Sequence, residues 1–132
     1  MMFIMNRTDR YRLLALVELA HIHPESAPAA EIARARGIPG AYLARLLAEL
    51  ARAGVVITRR GAGGGVALAR DPRHLPVREL LDHPSDRPGG PHVVDRLERC
   101  LSTAMANALD ELTLADLVAW ERECHDVANY VI

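Results

Sequence analysis

Cysteines and long apolar runs are scarce in this sequence. The 132 residues contain two cysteines, Cys100 and Cys124, which lie far apart and outside any CxxC or C…H spacing. This argues against a disulfide scaffold or a zinc knuckle. No apolar run approaches the roughly 20 residues of a membrane span, and the start "MMFIM" lacks the basic flank and apolar length of a signal peptide. We expect one compact cytoplasmic unit without membrane contact, whose thiols are reduced and buried as small apolar side chains.

Catalytic signatures are also missing. Neither the GxxxxGK[ST] nor the GxGxxG pattern is present, and no Ser-His-Asp set, paired carboxylates or Cys-His arrangement is recognisable. The glycine-rich stretch "RRGAGGGVALAR", residues 59–70, leads into a second strand-like segment. A phosphate cradle would instead require a helix N-terminus there. We therefore predict a hairpin tip and no enzymatic activity, catalytic residue or cofactor.

Charge is present but unevenly distributed. Residues 1–75 contain 11 arginines and 6 acidic residues, a balance of +5, whereas residues 76–132 contain 5 arginines and 11 acidic residues, a balance of −6. A basic half beside an acidic half is typical of a lobe that binds a polyanion joined to a lobe that binds something else or itself.

Helical periodicity dominates the first 53 residues. With Thr8 as N-cap, the spacing of apolar residues predicts a first helix, and "AAEIARAR" predicts a short second helix that ends at Gly37. A third helix is predicted over 41–53, with one apolar face formed by Leu43, Leu46, Leu47 and Leu50. Two helices joined by a short turn with glycine are typical of a helix-turn-helix, whose second helix can enter the DNA major groove. The same pair also occurs as plain packing in helical proteins.

The pattern changes after Gly54. "VVITR" and "VALAR" predict a β-hairpin around the glycine loop, and "PVRELLDH" predicts a short helix. After the loop "HPSDRPGGPH", a long helix is predicted over 93–112, and Thr113 to Asp116 resemble a capping box that opens a last helix. The long helix has apolar residues at alternating spacings of three and four, typical of a helix that packs along another: Val94, Leu97, Leu101, Ala104 and Ala108.

The segment "EIARARGIPGAYLARLLAELARAGVVITRRGAGGGVALARDP" resembles the winged-helix core of the Rrf2-type transcriptional regulators. This family contains an iron–sulfur regulator of cluster assembly, a nitric-oxide sensor and a cysteine-metabolism repressor. "DRYRLLALVELA" and "LTLADL" are similar to its first and last helices. The core pattern is present at Tyr42-Leu43, Leu50 to Gly54, Arg60-Gly61, Gly64-Gly65 and Leu68.

The resemblance implies a mainly α fold with a small β-hairpin wing. It implies a winged helix-turn-helix DNA-binding domain at 1–75 and a helical dimerisation and effector region at 76–132. The expected function is sequence-specific, DNA-binding transcriptional regulation, as a repressor that binds a palindromic operator as a homodimer. A small-molecule effector is a further expected partner, and constitutive repression without an effector is the alternative.

Two positions depart from the family pattern. Val66 replaces the aromatic residue that usually follows the paired wing glycines. The loop "HPSDRPGGPH" has none of the three cysteines that cluster-binding members carry there, and one thiolate cannot hold a cluster that usually takes about four ligands. We therefore expect no iron–sulfur cluster. A metal site made of His83, Asp86, His92 and Asp95 is an alternative, although such loop residues are most often solvated.

Candidate site residues follow from the resemblance and from side-chain chemistry. Arginines suit guanine, phosphates and the narrow minor groove, while glycines allow close approach to a nucleic-acid backbone. Dimerisation is assigned to the apolar row of the long helix. There are three alternatives to these assignments. They are a Tyr42 side chain that fills the core, an Arg60 side chain that is solvated, and an adaptor protein that does not bind DNA. The predicted DNA-binding residues are Arg7, Arg10, Gly40, Ala41, Tyr42, Arg45, Arg59, Arg60, Gly61, Gly63 and Gly64.

Overall fold

A computed structural model describes residues 5–81 and 93–130 of the chain, and it is mainly helical with one small antiparallel hairpin. The predicted fold class is confirmed. The elements in chain order are α1 (Arg7–Ile22), α2 (Ala29–Arg36), α3 (Gly40–Arg52), β1 (Val56–Arg59), β2 (Gly65–Leu68), a 3-10 turn (Pro72–His74), α4 (Val77–Leu80), α5 (Val93–Asp110) and α6 (Leu114–Tyr130).

The ends of the first helices follow from local hydrogen bonding. Thr8 was expected to cap α1, but the cap is Asn6, whose side chain accepts the Asp9 N–H at 2.8 Å. Thr8 lies inside the first turn, so its hydroxyl can contact another element instead. α2 ends as predicted at Gly37. This glycine has a φ of 63° and adopts the left-handed conformation, which is unfavourable for other residues.

One hydrophobic cluster joins elements from both ends of the sequence. The predicted apolar face of α3 is buried, and its residues Leu43, Leu47 and Leu50 belong to this cluster together with the fully buried Leu16 and Leu19 of α1. Leu80 of α4 and Leu114 and Val118 of α6 also belong to it. Burying a leucine contributes roughly 1.5–3 kcal/mol, so α6 is held firmly onto α1 and the winged helix. The predicted boundary at residue 75 stays a prediction.

The C-terminal helices differ in their packing. α6 opens with one half of the predicted capping box: the Asp116 carboxylate accepts the Thr113 N–H at 2.8 Å, but the Asp116 N–H donates to the Thr113 carbonyl and not to its hydroxyl. α5 packs against α4 and buries Ala106. Cys100 on α5 and Cys124 on α6 are both exposed, so the expectation that they are buried is wrong. Within the described ranges, none of the helices is long and apolar enough to cross a membrane.

Candidate nucleic-acid interface

α3 follows α2 through a tight turn and presents a polar face to solvent. Ile38 in the turn is buried and Pro39 precedes the first turn of α3, so the entry of the helix is set by the core. Gly40 and Ala41 are exposed in the first turn of the helix, and Arg45 is exposed in the second. This is the arrangement that a recognition helix needs, since its N-terminal residues reach base edges.

Tyr42 is half-buried between α3 and α1. Its hydroxyl is hydrogen-bonded to the Thr8 hydroxyl, and its ring meets the Tyr11 ring edge-to-face with centroids 5.6 Å apart. The Arg45 guanidinium carbon lies 5.2 Å from the centre of the Tyr42 ring. A cation–π contact of this kind is worth about 0.5–1 kcal/mol at an exposed site. Tyr42 therefore supports the Arg45 guanidinium and links it to the first turn of α1.

Arg7 and Arg10 are exposed on that same first part of α1. They are three residues apart and therefore share one side of the helix. Thr8 and Tyr11, the residues that follow each of them, contact Tyr42. The two arginines thus flank the contact between α1 and α3.

A salt-bridge network that sequence reasoning missed also joins α1 to α3. Arg12 donates to Asp9 at 3.2 Å and to Glu49 of α3 at 3.1 Å. Asp9 is buried, and Arg12 is nearly so. The i, i+3 spacing of Asp9 and Arg12 was visible in the sequence, but the pairing with Glu49 depends on how the helices cross. The network fixes the orientation of α3 on α1.

The hairpin formed by β1 and β2, here called the wing, is in the register Val56↔Leu68 to Arg59↔Gly65. Its tip, residues 60–64, closes with a hydrogen bond from the Gly64 N–H to the Gly61 carbonyl at 2.9 Å. A Cβ added at Gly64 would lie 2.5 Å from the Arg59 carbonyl oxygen, so the loop folds back tightly on itself. Arg59, Arg60, Gly61 and Gly63 are exposed there. The prediction of a hairpin tip is confirmed.

The residues between α1 and α2, 23–28, hold the wing from the side. Ala27 and Val66 exchange backbone hydrogen bonds of 2.9 and 2.8 Å, and Ser26 Oγ donates to the Gly63 carbonyl at 2.9 Å. Gly65 permits this close approach, because a Cβ there would collide with the Ala27 carbonyl oxygen. Sequence reasoning missed this contact, since a single bridging residue has no periodic signal.

A second network connects the winged helix to α6. Arg36 at the end of α2 donates through Nε to Glu18 of α1 at 2.7 Å and through both terminal nitrogens to Glu121 of α6 at 2.8 and 2.7 Å. His21 Nε2 is 2.8 Å from Glu121. The hydrogen bond from Arg36, with His21 adding to it, lowers the pKa of Glu121 to about 2, against the opposing effect of burial. The same contact with Glu121 is the main cause that raises the pKa of Arg36.

The apolar row of α5 is exposed along its whole length in the single chain. Val94, Leu97 and Leu101 are 61, 58 and 49% exposed, and Ala104 and Ala108 are also exposed. Lone apolar residues are ordinary on a protein surface, but a contiguous row is typical of an interaction surface. This row, here called the seam, has the residues predicted for dimerisation.

Comparison with known proteins identifies relatives over most of the chain. The family model described as "Rrf2: Iron-dependent Transcriptional regulator" matches residues 5–84. The HTH-type transcriptional repressor NsrR of Streptomyces coelicolor is 34% identical over 122 residues, covering 81% of this chain and 82% of the relative. The HTH-type transcriptional regulator IscR of Xenorhabdus nematophila is 32% identical over 134 residues, covering 91 and 81%. The structure of T. potens IscR superposes with a TM-score of 0.80 at 28% identity, covering 92 and 90%.

The matching family is described as iron-dependent, which raises the question whether the donor groups of this chain fit an iron–sulfur cluster. Such clusters are held mainly by cysteine thiolates. The two cysteines lie exposed on different helices, and within the described ranges no three His, Cys, Asp or Glu side chains are grouped to hold a metal ion. These donors do not fit a cluster. The alternative ligands His83, Asp86 and His92, and the side chain of Asp95, lie outside the described residues.

Proposed function

This chain belongs to the Rrf2 family of DNA-binding transcriptional regulators, and from that premise we propose that it represses transcription as a homodimer bound to a palindromic operator. The family and the relatives are transcriptional regulators rather than enzymes. The observation that carries the proposal is a recognition helix and a wing that each present an exposed arginine, Arg45 and Arg60, on a scaffold braced by α1. Repression is supported by the similarity to a relative that is named a repressor.

In the proposed complex, α3 enters the major groove and the wing reaches the adjacent minor groove. Arg45 pairs with a guanine or a phosphate, and Arg60 enters the minor groove, where the negative potential is greatest when the groove is narrow. Arg7, Arg10 and Arg59 bind phosphates. The glycines of the tip, together with Gly40 and Ala41, allow the backbone to approach the DNA because they carry little or no side chain.

Dimerisation is proposed through the seam of α5. Pairing of two seams about a two-fold axis would remove their exposed apolar side chains from water, at roughly 25 cal/mol per Å² buried. It would also set two recognition helices about 34–36 Å apart, one helical turn of DNA, which is the spacing that reads a palindrome.

Binding to DNA tests the proposal directly. We expect the protein to shift random duplex DNA with an affinity that falls steeply as salt rises, because arginine–phosphate contacts release counterions. Selection from a random-sequence library should then yield a palindromic duplex bound at least about 1,000-fold more tightly. A protein that binds neither DNA at low salt is an adaptor on a winged-helix scaffold, and the proposal fails.

Regulation without an iron–sulfur cluster is part of the proposal, because the described donors do not fit one. Protein purified without oxygen should show no iron–sulfur absorbance, and its affinity for the selected duplex should not respond to nitric oxide. Stoichiometric iron and acid-labile sulfide in that preparation would contradict this. We propose a small-molecule effector instead. An effector that stabilises the free protein should weaken DNA binding by about 5–150-fold, whereas no response in a metabolite screen by thermal shift would indicate a constitutive repressor.

A further inference from the structure

We propose that Ser26 is a positioning residue for DNA recognition, which holds the tip of the wing so that Arg60 is presented to the minor groove in one orientation. The inference rests on the proposed function, in which Arg60 contacts DNA. Ser26 itself need not touch the DNA. It lies between α1 and α2, and its hydroxyl donates a hydrogen bond of 2.9 Å to the Gly63 carbonyl.

The two attachments of the wing to this connection act at different places. The backbone pair between Ala27 and Val66 holds the second strand, and it needs no particular side chain at residue 27 except one that fits. The hydroxyl of Ser26 instead contacts Gly63, which lies in the exposed tip three residues before Val66. Only the second contact depends on side-chain chemistry.

Apart from the hydrogen bond between the Gly64 N–H and the Gly61 carbonyl, the tip has little of its own to order it. Three of its five residues are glycines, and Arg60, Gly61, Ala62 and Gly63 are all exposed. Glycine loses more conformational entropy than other residues when it is ordered, so an unsupported tip of this composition would sample many conformations. The hydrogen bond from Ser26 restricts that sampling in the free protein.

Holding Gly63 also holds Arg60. The Gly64 N–H donates to the Gly61 carbonyl, and a Cβ added at Gly64 would lie 2.5 Å from the Arg59 carbonyl oxygen and 3.0 Å from the Arg60 carbonyl carbon. The Gly64 backbone therefore lies close to the backbone of Arg59 and Arg60, and we expect a displacement of its neighbour Gly63 to shift Arg60.

The position of Ser26 relates the wing to the recognition helix. The connection that contains Ser26 leads directly into α2, which packs against α3. The tie thus sets the wing relative to the helix that reads the major groove. Ordering the tip before binding avoids part of the entropy cost of association, so a loosened tip should weaken binding without altering the contacts themselves.

The test uses the full chain and the tightest duplex selected from a random-sequence library with the native protein. The variants Ser26→Thr and Ser26→Val have nearly the same shape and differ in the hydroxyl. We expect Ser26→Thr to bind like the native protein and Ser26→Val and Ser26→Ala to bind roughly two- to tenfold more weakly, the range expected for one hydrogen bond. Ser102→Ala on α5, remote from the wing, should bind like the native protein.

A double-mutant cycle with Arg60→Ala distinguishes positioning from a general structural role. Once Arg60 is removed, Ser26→Ala should cause a much smaller further loss of affinity, because the other tip contacts are weaker than that of Arg60. In the single variant Ser26→Ala, NMR relaxation should show that the amides of residues 61–64 are more mobile on the nanosecond timescale than in the native protein. The midpoint of thermal unfolding should be unchanged. Equal affinity of Ser26→Thr and Ser26→Val, or an undiminished effect of Ser26→Ala in the Arg60→Ala background, would overturn the inference. If Arg60→Ala alone binds the selected duplex as tightly as the native protein, the proposed role of the wing itself is refuted instead.

Discussion

The arginines of this chain differ in what surrounds their guanidinium groups. Arg12 and Arg36 are mostly buried and pair with carboxylates from more than one helix, so they brace the scaffold. Arg45 and Arg60 are exposed, and Arg45 rests on an aromatic ring. Sequence alone gives all of them the same charge. Their environments separate arginines that hold the fold from arginines available to a polyanion.

Replacement of Arg60 tests the arginines that are available to a polyanion. Arg60→Ala should weaken binding to the selected duplex by about 1–3 kcal/mol, because it removes a charged contact to the groove, while the unfolding midpoint stays unchanged. Fluorescence anisotropy at matched salt measures the effect. Arg122→Ala, an equal loss of charge on the exposed side of α6, is the control. Equal affinities of the two variants would assign Arg60 to solvent.

The arginines that hold the fold are tested by the pH dependence of stability, through Glu121, the partner of Arg36. The folded-state pKa of Glu121, about 2, is below its ordinary value of 4.5, so its contribution to stability is fully present above about pH 4.5 and is lost as the pH falls towards 2. At neutral pH, Glu121→Gln should therefore reduce the free energy of unfolding by about 1–3 kcal/mol, because Arg36 keeps only one carboxylate partner, Glu18.

Urea unfolding across a pH series checks this expectation. The difference between the native protein and Glu121→Gln should shrink as the pH is lowered from about 5 to about 2.5. Glu123→Gln, on an exposed position of the same helix, is the control and should change little at any pH. A difference that stays constant with pH would show that the carboxylate charge is not the source of the stability.

At the scale of elements, the wing is a three-part assembly rather than an independent hairpin. A two-stranded hairpin is marginally stable alone. Here the buried residues Val66 and Leu68 connect it to the core, and Ala27 adds a further backbone pair beside Val66. The orientation of the wing therefore depends on the connection between α1 and α2 as much as on the turn that closes it.

Gly65→Ala should disrupt that assembly. Its Cβ would collide with the Ala27 carbonyl oxygen at a φ of 146°, so the backbone pair between Ala27 and Val66 must separate. We expect a loss of about 1–3 kcal/mol in the free energy of unfolding, measured by urea denaturation. Gly40→Ala is the matched control, because its Cβ would meet nothing within 4 Å and it lies in a helix. Equal stabilities of the two variants would contradict the close approach.

At the scale of the whole molecule, α5 has an apolar face that none of the described elements covers. Its apolar seam is exposed, whereas α6, which follows it in sequence, is anchored in the core through Leu114 and Val118. A helix of 18 residues gains little stability from propensity alone and needs packing on an amphipathic face. A second copy of the chain is the partner that we propose for that face.

Leu101→Glu tests the proposed dimer at the centre of the seam. Two carboxylates would meet in the apolar contact, and the free energy of dimerisation should fall by about 3 kcal/mol or more, which yields monomers at micromolar concentration. Sedimentation equilibrium measures the change. Thr103→Glu adds the same charge to an exposed position of α5 away from the seam and should leave the dimer intact. A native protein that is already monomeric would reject the proposal.

The sequence by itself determined what depends on near neighbours in the chain. The apolar spacing of α3, the glycine that ends α2, the hairpin and the Asp116 carboxylate that caps α6 were all predicted correctly, because each is set within a few residues. The family resemblance added the arrangement of these elements. Even locally, two candidate caps can compete, and Asn6 rather than Thr8 caps α1.

Only the tertiary structure decided which distant side chains meet. Ser26 and Gly63 are 37 residues apart, and Arg36 and Glu121 are 85 apart. Exposure of the two cysteines likewise depends on which faces of α5 and α6 are covered. The physical reason is that periodicity reports the face a residue occupies on its own element, whereas a hydrogen bond or ion pair between elements requires that their crossing bring two groups within about 3 Å.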